Sequence, residues 1–392
     1  MSDMIVGVLG AGTMGSGIAQ VAATAGHRVI LADPFAGAVD RARDGHVKAI
    51  AREVEKARLT REQADLILGR IQYLTPATGD YSALAPAGLV IEAIIEDLGI
   101  KKATFKGLEA AATDTAILAS NTSSLSITAI GSACHRPDRV IGIHFFNPAP
   151  VLPLVEIVPG VATATDVAAR SRALVDSWGK TTVLASDTPG FIVNRIARPF
   201  YSEALRIFEE GLADKATIDW AMKEAGGFKM GPFELMDLIG NDVNYAVSTS
   251  VFEAFGYDPR YRPFLSQKRL VDGGLYGRKS GRGHFDYRAG AVNPEPTRDR
   301  ALADTIVQRV LAVLINAAVD ALFWRVASAR DIDLAMTKGV NYPKGLLAWA
   351  DALGPAVVLE RLDRLLAEYG EERYRASPLL RRVAAENRTF HG

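Results

Sequence analysis

The sequence predicts an α/β domain at the N-terminal end, followed by two tandem all-α modules. Up to residue 186, short apolar runs alternate with segments rich in Ala, Glu and Lys, as in a mostly parallel sheet covered by helices. From Asp187 onward the alternation stops and helical patterns continue along the chain. A repeat within this helical part divides it into modules at residues 187–288 and 299–392.

The first elements of the chain are predicted to be a strand, a turn, a helix and a second strand. Ile5–Leu9 is a short apolar run, and a glycine-rich turn then begins a helix of small residues that extends to about Ala25. Residues 27–32 form another apolar run, and further strands are expected at 89–91, 116–119 and 140–143. This order is typical of a Rossmann-like domain, which we place in residues 1–186.

The helical part contains an internal repeat. Residues 195–240 align without a gap with residues 309–354, an offset of 114 positions, and ten of the 46 pairs are identical. They include Asp219 with Asp333 and Gly231 with Gly345. A duplicated module explains this better than coincidence. We therefore expect the two modules to pack as an internal pseudo-dimer, with further homo-oligomerisation possible.

Composition and charge narrow the classes of partner. The 45 basic and 45 acidic residues balance, so no overall field favours nucleic acid or a membrane surface. The single cysteine, Cys134, excludes an internal disulfide, and its neighbour His135 does not complete a metal-site pattern. The N-terminal residues lack the basic and apolar regions of a signal peptide. We expect a cytoplasmic protein without a metal site.

The glycine-rich turn is a candidate dinucleotide site. Its pattern is Gly10-Ala-Gly12-Thr-Met-Gly15, in which the three glycines allow a tight turn, close approach of a pyrophosphate, and packing of helix on strand. Thr13 and Met14 begin the helix whose positive end faces the phosphates. Asp33 follows the next strand, where its carboxylate would bind a ribose 2′-hydroxyl and repel a 2′-phosphate. No basic residue follows at 34–37, so the pattern favours NAD over NADP.

Two polar clusters follow later strands. The segment Ile91-Glu-Ala-Ile-Ile-Glu96, with Lys101 after it, lies where a nicotinamide ribose would be expected. Its charges predict either ligand contacts or the start of a helix. The second cluster, Ser120-Asn-Thr-Ser-Ser124, could cap a helix or donate a hydrogen bond to a substrate oxygen. Ser123 is the candidate donor.

The pair His144 and Glu156 carries the candidate chemistry. His144 ends one apolar run and Glu156 lies within another, and a hairpin about Pro150 would set the two residues opposite each other. A carboxylate on one imidazole nitrogen fixes the tautomer, so the other nitrogen can exchange a proton with a substrate. A core histidine bonded to a backbone group is the structural alternative.

These motifs in order closely resemble the L-3-hydroxyacyl-CoA dehydrogenase family over about residues 4–288. The resemblance rests on the glycine-rich turn, Ser120-Asn-Thr-Ser-Ser-Leu125, His144-Phe-Phe-Asn-Pro148, Glu156 and Asp187-Thr-Pro-Gly-Phe-Ile-Val-Asn-Arg195. The second module, with Gly339-Val-Asn-Tyr-Pro-Lys-Gly345, resembles the extra C-terminal module of bacterial 3-hydroxybutyryl- and 3-hydroxyadipyl-CoA dehydrogenases. The resemblance implies a role in fatty-acid metabolism, in β-oxidation.

The resemblance implies a set of site residues. His144 would be the catalytic base and Glu156 its orienting partner, with three residues around the reacting oxygen: Ser123, Asn147 and Asn194. The cofactor-contacting positions would be Asp33, Glu96, Lys101 and Asn121. Lys56, in the helical segment 41–59, matches a basic position that contributes to coenzyme A binding, although a solvated helix charge is an alternative. Ala49 replaces a small hydroxyl residue of the family pattern, and the 277–281 loop receives no chemical role.

The predicted reaction is the reversible, NAD-dependent oxidation of an L-3-hydroxyacyl-CoA thioester to a 3-ketoacyl-CoA. A second hypothesis is a dehydrogenase of a free 3-hydroxy acid, such as a sugar acid or a carnitine-like compound. A third is a noncatalytic NAD-binding scaffold whose duplicated helices form an interaction surface. A scaffold would have no need for the combined His, Glu, Ser and Asn set.

Overall fold

A computed structural model describes residues 4–391. The chain divides into two compact units, the first ending at Thr188 and the second beginning at Pro189. The first unit combines a sheet with helices, and the second is helical. The predicted α/β class followed by an all-α region is therefore confirmed.

The first unit contains an eight-stranded sheet in the order β3-β2-β1-β4-β5-β6-β7-β8. The strands β1 to β6 are parallel, whereas β7 is antiparallel to β6 and parallel to β8. Their bounds are β1 Ile5–Leu9, β2 Arg28–Ala32, β3 Ile71–Leu74, β4 Leu89–Glu92, β5 Ile117–Ser120, β6 Val140–Phe145, β7 Leu154–Pro159 and β8 Thr181–Leu184.

Six α-helices within residues 4–188 accompany this sheet. They are α1 Thr13–Thr24, α2 Ala36–Glu55, α3 Arg61–Gly69, α4 Leu98–Ala111, α5 Ile127–Gly131 and α6 Thr165–Ser177. Apolar side chains of the central strands and of α1 form the core, and Val8, Ile18 and Ile91 are fully buried there. This core fixes the carboxyl ends of the parallel strands at one edge of the sheet, where polar residues follow β2, β4, β5 and β6.

The second unit contains eleven α-helices in its described residues. They are α7 Val193–Ile196, α8 Arg198–Glu209, α9 Lys215–Glu224, α10 Pro232–Ile239, α11 Asn241–Ala254, α12 Leu265–Asp272, α13 Arg300–Phe323, α14 Ala329–Gly339, α15 Leu346–Leu353, α16 Pro355–Tyr369 and α17 Pro378–Ala385. One helix, α13, is long and apolar enough to span a membrane, but 78% of its apolar window is buried inside the protein. We interpret α13 as the core helix of this unit.

Equivalent residues of the sequence repeat make equivalent hydrogen bonds. Asp219 accepts hydrogen bonds from the backbone N–H groups of Phe233 and Glu234 at the start of α10, at 2.9 and 2.8 Å. Asp333, 114 positions later, accepts them from two backbone N–H groups at the start of α15, both at 2.9 Å. A Cβ atom on Gly231 would lie 2.2 Å from Asp219, and one on Gly345 would lie 2.2 Å from Asp333. The shared glycines therefore leave room for the shared carboxylates.

Buried ion pairs join the two halves of the second unit. Arg309 on α13 donates to Glu203 on α8 at 2.6 Å, and both side chains are at least nine-tenths buried. It also forms an ion pair with Glu210. Arg195, the repeat equivalent of Arg309, forms an ion pair with Asp320 on α13 at 3.4 Å. Breaking a buried pair leaves an uncompensated charge, which costs about 3–5 kcal/mol.

The glycine-rich loop near residue 280 packs on Asp237. This carboxylate accepts hydrogen bonds from the backbone N–H groups of His284 and Phe285, both at 2.9 Å. Gly277 has a positive φ of 103°, and a Cβ atom there would lie 2.3 Å from the backbone oxygen of Asp237. The loop therefore has a structural role, which the sequence did not reveal.

The ring of His284 is buried next to this loop. Its burial predicts that the stability of the protein depends on pH. Neither ring nitrogen has a hydrogen-bond partner among the residues that the structure describes, and the ring packs on Phe233 with centroids 4.8 Å apart. Burial, with a contribution from Lys215, holds the pKa of His284 well below its usual 6.5. The folded protein therefore keeps His284 neutral, while the unfolded chain takes up a proton as the pH falls through about 6.5.

We expect His284→Phe to stabilise the protein relative to wild type, and more at acid pH than at neutral pH. The difference in unfolding free energy should grow by about 2 kcal/mol between pH 7 and pH 5, because the variant has no proton to take up on unfolding at this position. Urea unfolding at the two pH values measures it. His135→Gln, which removes an exposed histidine, is the control. An equal effect of His284→Phe at both pH values would contradict the prediction.

Candidate functional site

The glycine-rich turn leaves space for a phosphate group. Gly10 has a φ of 103°, and a Cβ atom on Gly15 would lie 1.8 Å from the backbone oxygen of Gly10. Both positions therefore require glycine. Gly12 immediately precedes α1, and a Cβ atom built there meets nothing within 4 Å. Open space in front of a helix N-terminus is the arrangement that binds a pyrophosphate. Thr13 and Met14 form the first turn of this helix.

Asp33 follows β2 beside the turn. Its carboxylate accepts a hydrogen bond from the backbone N–H of Ala11 at 2.7 Å and from that of Phe35 at 2.9 Å. These two bonds fix the carboxylate against the glycine-rich turn, at the edge of the sheet where the sequence predicted a ribose contact. The geometry therefore suits a carboxylate that holds a dinucleotide ribose.

Two acidic residues, one at the end of β4 and one after it, have different environments. Glu92, at the end of β4, is fully buried and accepts hydrogen bonds from Lys101 at 2.6 Å and Ser120 at 2.7 Å. Lys101 is also buried and lies 3.4 Å from Glu96. The sequence singled out Lys101 and Glu96 but not Glu92. The position of Glu92 at a strand end, nine residues before Lys101, was the sequence signal that could have identified it.

Glu96 holds the polar cluster that follows β5. Its carboxylate accepts hydrogen bonds from the Thr122 hydroxyl at 2.5 Å, the Ser124 hydroxyl at 3.0 Å and the backbone N–H of Ser123 at 3.1 Å. Burial acts to raise the pKa of Glu96, but hydrogen bonds and the charge of Lys101 outweigh it and lower the pKa. Glu96 therefore stays ionised and orients the segment that carries Ser123.

Asn121 connects this cluster to the neighbouring strand. Its side-chain oxygen accepts a hydrogen bond from the backbone N–H of Phe145 at 2.8 Å. The sequence placed Asn121 among the cofactor contacts, and the structure gives this oxygen a structural partner at the end of β6. The amide therefore helps to fix the residue that follows His144.

His144 and Glu156 form the predicted cross-strand pair. They are direct partners in the antiparallel register of β6 and β7, and the His144 Nδ1 lies 2.7 Å from a Glu156 carboxylate oxygen. Both side chains are buried, with 7% and 0% exposed. The hairpin geometry expected from the sequence is therefore confirmed. Because Nδ1 faces the carboxylate, a proton exchanged with a substrate would pass through Nε2.

The residues that follow His144 extend toward solvent. Phe146 packs against the His144 ring with centroids 4.5 Å apart, and Asn147 is exposed. Lys180, close to this segment, donates to the backbone oxygens of Ala149 at 2.5 Å and Leu152 at 2.9 Å. These bonds fix the loop between β6 and β7.

Lys56 borders a cleft in the first unit. The cleft lies between α1, α2 and residues 150–151 and 178–180, and Ala49, Arg52 and Lys180 also line it. The Lys56 side chain is 57% exposed, and its ammonium lies 3.8 Å from a carboxylate oxygen of Glu53. A surface charge of this kind is compatible both with a ligand contact and with a solvated helix end.

Asn194 belongs to the second unit, where it lies in α7. Its backbone oxygen accepts a hydrogen bond from Arg198 Nε at 3.1 Å.

The lone cysteine, Cys134, has no chemical role in the described geometry. Burial, followed by the charge of Glu109, raises the pKa of the Cys134 thiol to about 11, so the thiolate that nucleophilic chemistry needs is scarce at neutral pH.

Comparison with known proteins matches almost the whole chain to one family. The 3-hydroxyacyl-CoA dehydrogenase NAD-binding domain matches residues 5–188, and the family's C-terminal domain matches twice, at 190–287 and 306–390. The chain belongs to the 3-hydroxyacyl-CoA dehydrogenase family. It is an NAD-dependent dehydrogenase of this family, as the resemblance implied.

A sequence and a crystal structure from Escherichia coli K12 both match almost the full length. The chain is 42% identical to a 3-hydroxyadipyl-CoA dehydrogenase over 97% of each chain. A crystal structure titled 3-hydroxybutyryl-CoA dehydrogenase has a TM-score of 0.92 and 40% identity, and it covers 99% of each chain. A 3-hydroxybutyryl-CoA dehydrogenase of Mycobacterium tuberculosis is 40% identical and matches 73% of this chain with 100% of its own. Some relatives are therefore shorter and are matched by part of this chain.

Asp33 provides a test of cofactor choice. We expect wild-type catalytic efficiency to be higher with NADH than with NADPH, and Asp33→Ser to narrow the difference, because serine removes the negative charge that opposes a 2′-phosphate. Initial rates with a short 3-ketoacyl-CoA give both efficiencies. Asp40→Ser removes an exposed carboxylate from α2 and serves as the control. Comparable wild-type efficiencies with the two cofactors would refute the assignment.

Proposed function

We propose that the protein oxidises an L-3-hydroxyacyl-CoA to a 3-ketoacyl-CoA with His144 as general base and Glu156 as its partner. The observation that carries the proposal is the 2.7 Å contact between the two side chains, at paired positions of a buried hairpin. Their relative placement depends on the strand register and not on a mobile loop. This placement supports a preorganised proton acceptor.

The pair performs the proton part of the reaction. In the oxidative direction His144 Nε2 takes the proton of the C3 hydroxyl, and the Glu156 carboxylate stabilises the imidazolium that forms. Bound NAD supplies the acceptor for the hydride that leaves C3. In the reductive direction His144 returns the proton to the C3 oxygen, and the concentrations of the metabolites decide the direction.

Three polar residues would position the reacting oxygen. The family resemblance assigns Ser123, Asn147 and Asn194 to this task. Glu96 supports the first assignment because it fixes the backbone of Ser123 at 3.1 Å. For the thioester, we assign Lys56 to the coenzyme A moiety, since it borders the basic cleft beside α2. Amide and hydroxyl donors at these positions would supply orientation, which intramolecular reactions show to be worth several kcal/mol.

Activity on a thioester and on its free acid separates the leading hypotheses. We expect NADH formation from L-3-hydroxybutyryl-CoA and an efficiency at least about 100-fold lower with L-3-hydroxybutyrate, since coenzyme A contacts contribute binding energy. Equal or greater efficiency with the free acid would favour the free-acid hypothesis. Tight NADH binding without turnover of any short 3-ketoacyl-CoA would favour the scaffold.

We also propose that the two helical modules form an internal pseudo-dimer. The support is two buried ion pairs between the modules, in which Arg195 contacts Asp320 and its repeat equivalent Arg309 contacts Glu203. The repeat equivalents Phe228 and Tyr342 also pack on each other, with ring centroids 5.0 Å apart. The second copy would be structural, because Gln308 occupies the position equivalent to Asn194. Cytoplasmic localisation stays a prediction.

A further inference from the structure

Asp187 begins the 187–195 sequence motif, of which the proposed reaction uses Asn194. It follows β8 within the first unit, and its residue is partly buried. The carboxylate contacts the start of α5, 60 residues earlier in the chain at Ile127. Hydrogen bonds to a charged acceptor are strong and directional, so this carboxylate fixes the two segments to each other.

Three donors at the start of α5 bind the Asp187 carboxylate. One oxygen accepts a hydrogen bond from the backbone N–H of Ile127 at 2.9 Å. The other accepts from the backbone N–H of Thr128 at 2.7 Å and from the Ser126 hydroxyl at 2.9 Å. Ser126 is the N-cap of this helix, and its hydroxyl oxygen accepts from the backbone N–H of Ala129 at 3.1 Å. Negative charge is stabilising at a helix N-terminus, so Asp187 fixes the first turn of α5.

The segment that carries Ser123 lies between two carboxylates. Glu96 binds the residues on one side of Leu125, and Asp187 binds those on the other side. The backbone N–H of Leu125 itself donates to the Thr122 hydroxyl oxygen at 3.0 Å, which closes the segment into a turn. A short segment that is fixed at both ends has little conformational freedom. The position of Ser123 therefore depends on both carboxylates.

Contacts with β6 hold the body of α5 on the sheet. A Cβ atom on Gly142 would lie 2.9 Å from the Ile127 side chain, so the glycine leaves room for the helix against the strand. These contacts are separate from the bonds of the Asp187 carboxylate. His144, on the same strand, is held by its antiparallel pairing with Glu156. Loss of the carboxylate should therefore disturb the segment before α5 and leave the catalytic pair in place.

We propose that Asp187 is a positioning residue of the reaction, which places the Ser123 hydroxyl for its contact with the reacting oxygen. The inference rests on the proposed function, which assigns Ser123 to that oxygen. Asp187 acts through α5 and the segment before it, and not by contact with the substrate. Because a misplacement of about 1 Å can cost about 100-fold in rate, a carboxylate at the far end of this segment can control turnover.

A double-mutant cycle of Asp187 and Ser123 tests the proposal, with acetoacetyl-CoA and NADH as substrates of the full chain. Ser123→Ala should lower kcat/KM by roughly 100-fold, as loss of a positioned donor does. Asp187→Ala should lower it by roughly 10-fold in the wild-type background. In the Ser123→Ala background it should lower it by less than about twofold, because the hydroxyl that it positions is gone. Asp187→Asn, which keeps the shape and one acceptor oxygen, should show the same coupling at a smaller size, and it provides the test if the alanine variant does not fold.

Asp176→Ala is the matched control. The Asp176 carboxylate also accepts hydrogen bonds from a backbone N–H and a hydroxyl, both of Thr182 in β8, at 3.0 and 2.8 Å. We expect Asp176→Ala to change kcat/KM by the same factor with and without the Ser123 hydroxyl. The pH–rate profile is a second readout that a general loss of structure would disturb. Asp187→Ala should keep the wild-type profile, because His144 keeps its carboxylate partner.

The outcomes separate this inference from the proposed function. Equal effects of Asp187→Ala in the two backgrounds, or wild-type kcat/KM in the folded variant, would overturn the inference while the proposed reaction stands. A changed pH–rate profile would also overturn it, since Asp187 would then act through His144. Wild-type activity of Ser123→Ala would remove Ser123 from the site and the inference with it. No turnover of the thioester by wild-type, NAD-binding protein would overturn the proposed function and this inference together.

Discussion

His144→Gln is expected to lower turnover by roughly two to four orders of magnitude while NADH affinity stays nearly unchanged. Glutamine keeps a polar side chain but cannot accept and return the hydroxyl proton. The dinucleotide residues Gly12 and Asp33 lie on other strand ends of the sheet, so the cofactor contacts should survive. Steady-state rates with acetoacetyl-CoA and a fluorescence titration of NADH give the two quantities.

Glu156→Gln is the companion variant. An amide at this position still contacts the His144 ring, but it cannot stabilise an imidazolium as a carboxylate does. We expect reduced turnover and a changed pH–rate profile. Near-normal turnover in a folded His144→Gln protein would remove His144 from the mechanism. Wild-type turnover and an unchanged profile in Glu156→Gln would count against the pair.

Removal of residues 290–392 is expected to cause aggregation or new dimerisation, although His144, Glu156 and Asn194 remain. The truncation deletes α13, whose residues 310–314 are buried. It also leaves Glu203 without Arg309 and Arg195 without Asp320. An exposed apolar face together with uncompensated charges would favour association. Light scattering and a thermal melt, with the full chain as control, measure the effect.

The truncation could also leave the protein monomeric and active, which would contradict the prediction. A relative is matched over its full length by 73% of this chain. Residues 1–289, which the truncation keeps, contain every proposed catalytic residue. A truncated protein that stays monomeric, keeps wild-type stability and retains full activity would show that the second module is dispensable. The proposed internal pseudo-dimer would then fail.

The nucleotide-binding fold and the His144–Glu156 pair were accessible from the sequence because they depend on local patterns. Strand periodicity gives the register of a short hairpin, and the hairpin places residue 144 opposite residue 156. Two short strands, β3 and β8, were not predicted. Ile71–Leu74 and Thr181–Leu184 are the edge strands of the sheet and are only partly buried, so they lack the continuous apolar run of the equally short, fully buried β4 and β5.

The sequence could not show which side chains form contacts through the packing of one element on another. Nothing in the local pattern of Lys101 indicates that its ammonium is buried against Glu92, because the contact depends on how α4 packs on β4.

The fate of the hydrogen on C3 tests the proposed reaction most directly. L-3-hydroxybutyryl-CoA carrying deuterium at C3 is incubated with NAD and the wild-type enzyme, and the products are analysed by mass spectrometry. We expect one equivalent of acetoacetyl-CoA for each NADH, with the deuterium in the NADH, since hydride leaves C3 while His144 takes the hydroxyl proton. NADH without deuterium, or no oxidation of the thioester by active, NAD-binding protein, would contradict the proposed reaction.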